Sequence, residues 1–159
     1  MRIGSVLENQ TIEKRIAITP EIVKKYTSLG FEVCLSKNYG SHLGIKDEQY
    51  IEMGVKISED EIEILNSSDI IVQLGMLSED KSSNINQTQT LIGVLNPYDN
   101  KEKLESLAKK KINLFSLELL PRITRAQSMD ILSSQANLAG YKAVIESFAS
   151  FEKAIPMMM

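Results

Sequence analysis

Short apolar runs recur along the chain, separated by polar stretches and alternating with segments in which apolar residues return every three or four positions. The first run, residues 3–7, predicts a strand; polar residues follow, and then the apolar positions of 16–18. Thr19-Pro20-Glu21 predicts a helix start. The threonine hydroxyl can cap, the fixed φ of proline suits the first turn, and glutamate complements the positive end of the helix. Ile22, Val23, Tyr26 and Leu29 then share a face, and Gly30 can take the left-handed conformation that stops a helix. A second strand over 32–36 and a second helix over 47–53, closed by Gly54, repeat the unit. Two strand-helix units in succession point to a parallel sheet.

The same alternation continues with a helix over 60–65, strands over 69–74, 90–95 and 112–117, and a helix over 100–110 with Leu104, Leu107 and Ala108 inward. Ile70-Ile71-Val72 and Leu91-Ile92-Gly93-Val94-Leu95 are unbroken apolar runs, as expected of strands covered on both faces. Residues 78–89, rich in Ser, Asn, Asp and Gln, read as an exposed loop. From Asn137 onward Leu138, Tyr141, Val144, Ile145, Phe148, Phe151 and Ile155 keep helical spacing over about five turns. The fold class expected is α/β, a mostly parallel sheet with helices on both faces, flavodoxin-like or Rossmann-like, ending in a long helix. Residues 1–136 are expected to form the domain and 137–159 the helix. Its bare apolar tail, Ile155-Pro156-Met157-Met158-Met159, predicts a continuation into further protein.

Composition narrows the classes. The chain has 159 residues, 43% hydrophobic and 25% charged, enough to bury one sizeable core. A net charge of -3, with both signs interspersed, gives no footprint for nucleic acid or anionic lipid. The one basic run, Lys109-Lys110-Lys111, fits the negative end of a helix. No apolar run approaches the roughly 20 residues needed to cross a bilayer. A lone Cys34 inside an apolar strand excludes an internal disulfide and fits a reducing compartment. His42, the only histidine, sits between glycines in a loop and reads as a turn residue rather than a metal ligand.

Candidate chemistry concentrates in Pro121-Arg122-Ile123-Thr124-Arg125-Ala126-Gln127-Ser128-Met129-Asp130, which runs on to Ser133. By spacing alone Thr124 and Gln127 form a capping box, and Arg122 with Asp130 an ordinary surface pair. The order Arg122, Gln127, Asp130, Ser133, with its neighbours, resembles the nicotinamide-site loop of proton-translocating NAD(P) transhydrogenases, in the N-terminal domain of the alpha subunit. The resemblance covers essentially the whole chain. It implies that Arg122 and Ser133 hold the nicotinamide carboxamide of NAD(H), that Asp130 fixes Arg122, and that Gln127 reaches toward the NADP(H) ring of a partner domain. It further implies a homodimer, an NADP-binding beta subunit, a membrane domain in the intact complex, and a peripheral cytoplasmic location. Hydride passing between two nicotinamide rings needs orientation rather than a protein nucleophile, so guanidinium, amide and hydroxyl groups suffice and no metal is expected.

A second stretch, Arg2-Ile3-Gly4 through Glu8 and Lys14-Arg15-Ile16-Ala17-Ile18-Thr19-Pro20, is shared by this family and alanine dehydrogenases. In the latter the arginine at the Arg15 position binds substrate carboxylate, beside a lysine near position 73 and a histidine near 96. Gln73 and Asn96 stand there instead, which removes the acid-base groups of amino-acid oxidation and leaves Arg15 as a structural ion-pair residue. No Gly-x-Gly-x-x-Gly follows any strand, so tight dinucleotide binding is expected to need a further domain. An alanine-dehydrogenase-like fragment and a non-catalytic interaction module remain the alternatives.

Overall fold

In a computed structural model of the chain, residues 1–154 are described. They form two compact units by contact, Met1–Leu117 and a second beginning at Glu118. The first is built on six strands: β1 (Arg2–Ser5), β2 (Glu32–Ser36), β3 (Lys56–Ser58), β4 (Ile70–Val72), β5 (Thr90–Gly93) and β6 (Asn113–Ser116). Every neighbouring pair is parallel, in the order β3-β2-β1-β4-β5-β6. This is the Rossmann order rather than the flavodoxin-like one. Helices α1 (Pro20–Ser28), α2 (Asp47–Ile51), α3 (Glu61–Ser67), α4 (Glu79–Ser83) and α5 (Lys101–Lys109) complete the unit.

The period of two in the strands divides the core. Val33 and Leu35 join one cluster and Cys34 between them the other; Ile70 and Val72 face the first and Ile71 the second. Val23 of α1 and Tyr50 of α2 fill the first cluster, while Ile64 and Leu65 of α3 and Leu107 of α5 fill the second. Helices therefore cover both faces. Thr19 caps α1 by accepting from Ile22 N, Pro20 opens it, and Gly30 (φ 83°) and Gly54 (φ 84°) take the left-handed stops. At Gly4 the approach of α3 leaves no room for a Cβ, which would collide with the Ser68 side chain.

Several expectations need correction. Residues 78–89 are not simply an exposed loop: α4 lies there, and Ile85 and Gln89 are buried. Lys81 of α4 is held by Glu61 at 2.7 Å, a tertiary contact that local composition does not announce. Strand β3 went unpredicted because three residues, one of them charged, carry too short a pattern. Leu29 is 71% exposed at the C-terminal end of α1, and Ala108 is exposed on α5, so neither is inward. The four predicted strands of 69–74, 90–95, 112–117 and 3–7 are each shorter than expected, and of the apolar positions 16–18 only Ile18 is fully buried.

The second unit holds a 3-10 turn at Thr124–Met129 and one long helix, α6 (Ile131–Ala149). The helix begins six residues before the expected Asn137 and ends before Phe151; Ile155 lies outside the described residues. The expected boundary at 136/137 thus falls inside α6. Residues 132–149 are all exposed, Tyr141 by 69% and Phe148 by 57%. Apolar residues are spread around this helix rather than gathered in a stripe.

The narrowest junction of the sheet lies between β1 and β4, where two residue pairs are in register, Ile3 with Ile70 and Gly4 with Ile71. Beyond them the side chain of Gln73 continues the ladder: its Oε1 accepts from Val6 N at 2.8 Å and its Nε2 donates to Val6 O at 3.2 Å. Glu8 Oε1 then accepts from Leu74 N at 2.6 Å.

Candidate functional site

The site in the second unit is built over a dozen residues. Ile123 N donates to Pro121 O at 2.9 Å, and Ala126 N to Ile123 O at 2.9 Å, which winds the 3-10 turn. Asp130 leaves it in an extended conformation (φ -74°, ψ 91°) and caps α6. Its Oδ1 accepts from Ser133 N at 3.0 Å and its Oδ2 from the Ser133 hydroxyl at 2.7 Å. The capping box expected of Thr124 and Gln127 does not form: Ile123 occupies the N-cap of the turn without a side-chain bond. A carboxylate at the start of a helix of 19 residues gains both a hydrogen bond and the favourable end of the dipole.

Arg122, Gln127, Asp130 and Ser133, read from the sequence as one group, line a single cleft of about 350 Å³ together with Ile123 and Thr124. Arg122, Gln127 and Ser133 are exposed. Ile123, which adds an apolar wall, was missed; its one signal was adjacency to Arg122. Arg122 forms no ion pair with Asp130 among the described residues, contrary to the expected surface pair. Hydrogen bonds from Ser133 N–H, then from its hydroxyl, hold the Asp130 carboxyl below the usual aspartate range, and the Arg122 charge adds to this. The cleft offers a fixed cation with only donors, a side-chain amide, and a hydroxyl whose hydrogen is already committed.

The first unit has a larger cavity, about 490 Å³, at the carboxyl ends of β1 and β4, where the strand order reverses. Its polar groups bond mainly to the protein itself. Lys81 Nζ donates to Leu7 O at 3.2 Å, and Leu7 N to Glu61 Oε1 at 3.1 Å. Burial pushes the Glu8 carboxyl up, against the opposing backbone N–H groups of Leu74 and Gly75. Gln73 is 2% exposed and fully engaged, its Oε1 also accepting from Ser5 Oγ at 2.9 Å and its Nε2 donating to Glu8 at 3.2 Å. Ser5 in turn accepts from Tyr39 OH at 2.7 Å, because that oxygen already accepts from Ala17 N and Ile18 N. Desolvation pushes the Tyr39 phenol up to about 12.

Arg15 grips Glu13 with two nitrogens, at 2.8 and 2.6 Å, consistent with a structural ion pair. Asn96 sits in a turn with φ 49° and donates to Asp99 at 2.7 Å. His42 bridges two segments: Nε2 donates to Lys14 O at 2.8 Å and Nδ1 accepts from Gln10 at 3.1 Å. Among the described residues no cluster of His, Cys, Asp or Glu is placed to hold a metal ion, and no helix is long and apolar enough to cross a membrane.

A six-stranded parallel sheet in this order, with helices on both faces, defines a Rossmann-type α/β domain. Residues 4–139 match the family described as alanine dehydrogenase/PNT, N-terminal domain, and the chain belongs to that family. Among its relatives is the first part of NAD(P) transhydrogenase subunit alpha of Rickettsia prowazekii, 42% identical over 163 residues, covering 100% of this chain and 43% of the relative. The corresponding protein from Rhodospirillum rubrum is 42% identical over 164 residues, with the same coverage. Of solved structures, the transhydrogenase from Sinorhizobium meliloti superposes with a TM-score of 0.90 at 37% identity, covering 100% of this chain and 47% of that one. An L-alanine dehydrogenase reaches 0.69 at 20% identity over 74% of this chain and 32% of its own, a likeness of fold. The chain thus spans less than half the length of the curated relatives it matches. The resemblance to the N-terminal domain of transhydrogenase alpha subunits is borne out.

Proposed function

We propose that this chain is the N-terminal part of the NAD(H)-binding component of an NAD(P) transhydrogenase, and that its cleft orients the nicotinamide of NAD(H). The observation that carries the reading is the gathering of Arg122, Gln127, Asp130 and Ser133 around one cleft. Their donor set suits a carboxamide, which presents one carbonyl acceptor and one amino donor: the guanidinium serves the first and the serine oxygen the second. When bound, the rings supply the chemistry themselves, hydride passing directly from NAD(H) to NADP(H) or back. The work of the chain is alignment and the exclusion of water. Gln127 makes no side-chain hydrogen bond among the described residues, which leaves its amide free to engage a ligand.

In this reading the remainder of the NAD site lies on protein outside this chain, NADP(H) on a partner beta subunit or domain, and proton translocation in a membrane domain. The component is a homodimer on the cytoplasmic face of that complex. The exposed apolar residues of α6 are the kind of surface such an assembly would cover. An amino-acid dehydrogenase reading is disfavoured, since Arg15 is engaged by Glu13 and Gln73 by the backbone of Val6. In the complete enzyme Gln127→Asn is expected to slow single-turnover hydride transfer by about 10²-fold or more, because a displacement of about an ångström at the reacting geometry has that effect. NADH affinity should stay nearly intact, and wild-type turnover in that variant would remove the assigned role.

A further inference from the structure

Serines in the body of α6 give their hydroxyl hydrogen to a backbone carbonyl one turn back: Ser134 to Ile131 O at 3.1 Å and Ser147 to Ala143 O at 2.7 Å. Ser133 differs. Its hydroxyl donates to Asp130 Oδ2 at 2.7 Å while its N–H is held by Oδ1 at 3.0 Å, so both of its hydrogens are committed to one carboxylate. A serine hydroxyl has a single hydrogen, and once that is given the oxygen can only accept. The same cleft carries Arg122, which can only donate. Asp130 makes no ion pair with Arg122 among the described residues, so its hydrogen bonds act on Ser133.

Resting on the nicotinamide reading above, we infer that Asp130 is a positioning residue that fixes the Ser133 hydroxyl as an acceptor toward the cleft and thereby selects a primary carboxamide over a carboxylate. A carboxamide brings an N–H to that oxygen. A carboxylate brings a second acceptor, which the committed hydroxyl cannot serve.

Asp130→Asn tests this without removing the cap, because asparagine caps a helix as well as aspartate does. Its carbonyl can keep Ser133 N–H, whereas its NH₂ group now donates to the Ser133 oxygen and turns the hydroxyl hydrogen outward. The measurement is calorimetric titration, on the native polypeptide as its gene encodes it, with NAD and with nicotinic acid adenine dinucleotide, which carries a carboxylate in place of the carboxamide. The wild type is expected to favour NAD at least tenfold; D130N should cut that ratio about tenfold or invert it, with helical circular dichroism unchanged. In an S133A background the same substitution should leave the ratio nearly constant. An unchanged ratio in D130N overturns the inference, as does an equal shift in the S133A background, which would reveal a plain charge effect. A wild type without preference also overturns it. If Arg122→Ala then leaves NAD affinity unaltered, the nicotinamide reading falls with it; a tenfold loss there leaves that reading standing.

Discussion

At the scale of single residues the most consequential is Gln73. A glutamine at the buried end of an apolar strand is costly to bury unless each of its polar atoms finds a partner, and here each does. Gln73→Leu keeps the volume but leaves Val6 N–H and the Ser5 hydroxyl without their acceptor. An orphaned buried donor costs about 1–3 kcal/mol, so a loss of about 2–4 kcal/mol is expected in chemical denaturation; a loss within about 0.5 kcal/mol would show that water replaces the amide. The sequence revealed Gln73 only negatively, as the place where a lysine was absent. Its bonds to Val6 and Glu8 join positions 65–67 apart in the chain, and no local pattern carries such a pairing. The four cleft residues were legible only through the resemblance, which their lying within one short stretch made easy to match; spacing alone read Arg122 with Asp130 as a surface pair and Gln127 as part of a cap.

Elements show a comparable division. Helices with a capping residue, an initial proline and a glycine stop were readable, α1 above all, because those signals are local. At the head of α6 two residue pairs share a spacing of three, Thr124 with Gln127 and Asp130 with Ser133. Spacing cannot choose between them; the extended backbone of Asp130 does. The start of α6 was set too late for a related reason, since Ser133-Ser134-Gln135 interrupts the apolar rhythm that betrays the helix from Leu138 on. The cap has a pH signature. Because the folded Asp130 carboxyl lies below its ordinary value of 3.8, its contribution is present above that value and is lost as pH falls through the lowered folded value. The amide resonance of Ser133 is therefore expected to titrate with a midpoint below 3.8, and a midpoint at or above it would contradict the capping geometry.

For the molecule as a whole, the alternation of apolar runs with helical spacing was enough to predict a parallel sheet, but not its order. Strand order depends on which strand follows the crossover back to β1, a long-range choice, and both doubly wound orders satisfy the same local pattern. Once the order is known, the first unit divides at β1 and β4 into β3-β2-β1 and β4-β5-β6. Native-state hydrogen exchange in mild denaturant is expected to resolve two groups of amides along this division, with different opening free energies. A single opening energy for all six strands would contradict it.

That division has a mechanical meaning. Two backbone pairs are in register at the seam, Arg2 and Asp69 bond across one end of it at 2.9 and 2.7 Å, and at the other end the rungs are supplied by the side chains of residues 73 and 8. Under a load applied across the sheet, resistance along this line depends on which amino acids stand at two positions as well as on the backbone pairs. The molecule's tensile strength can therefore be raised or lowered by point substitution without redrawing its fold.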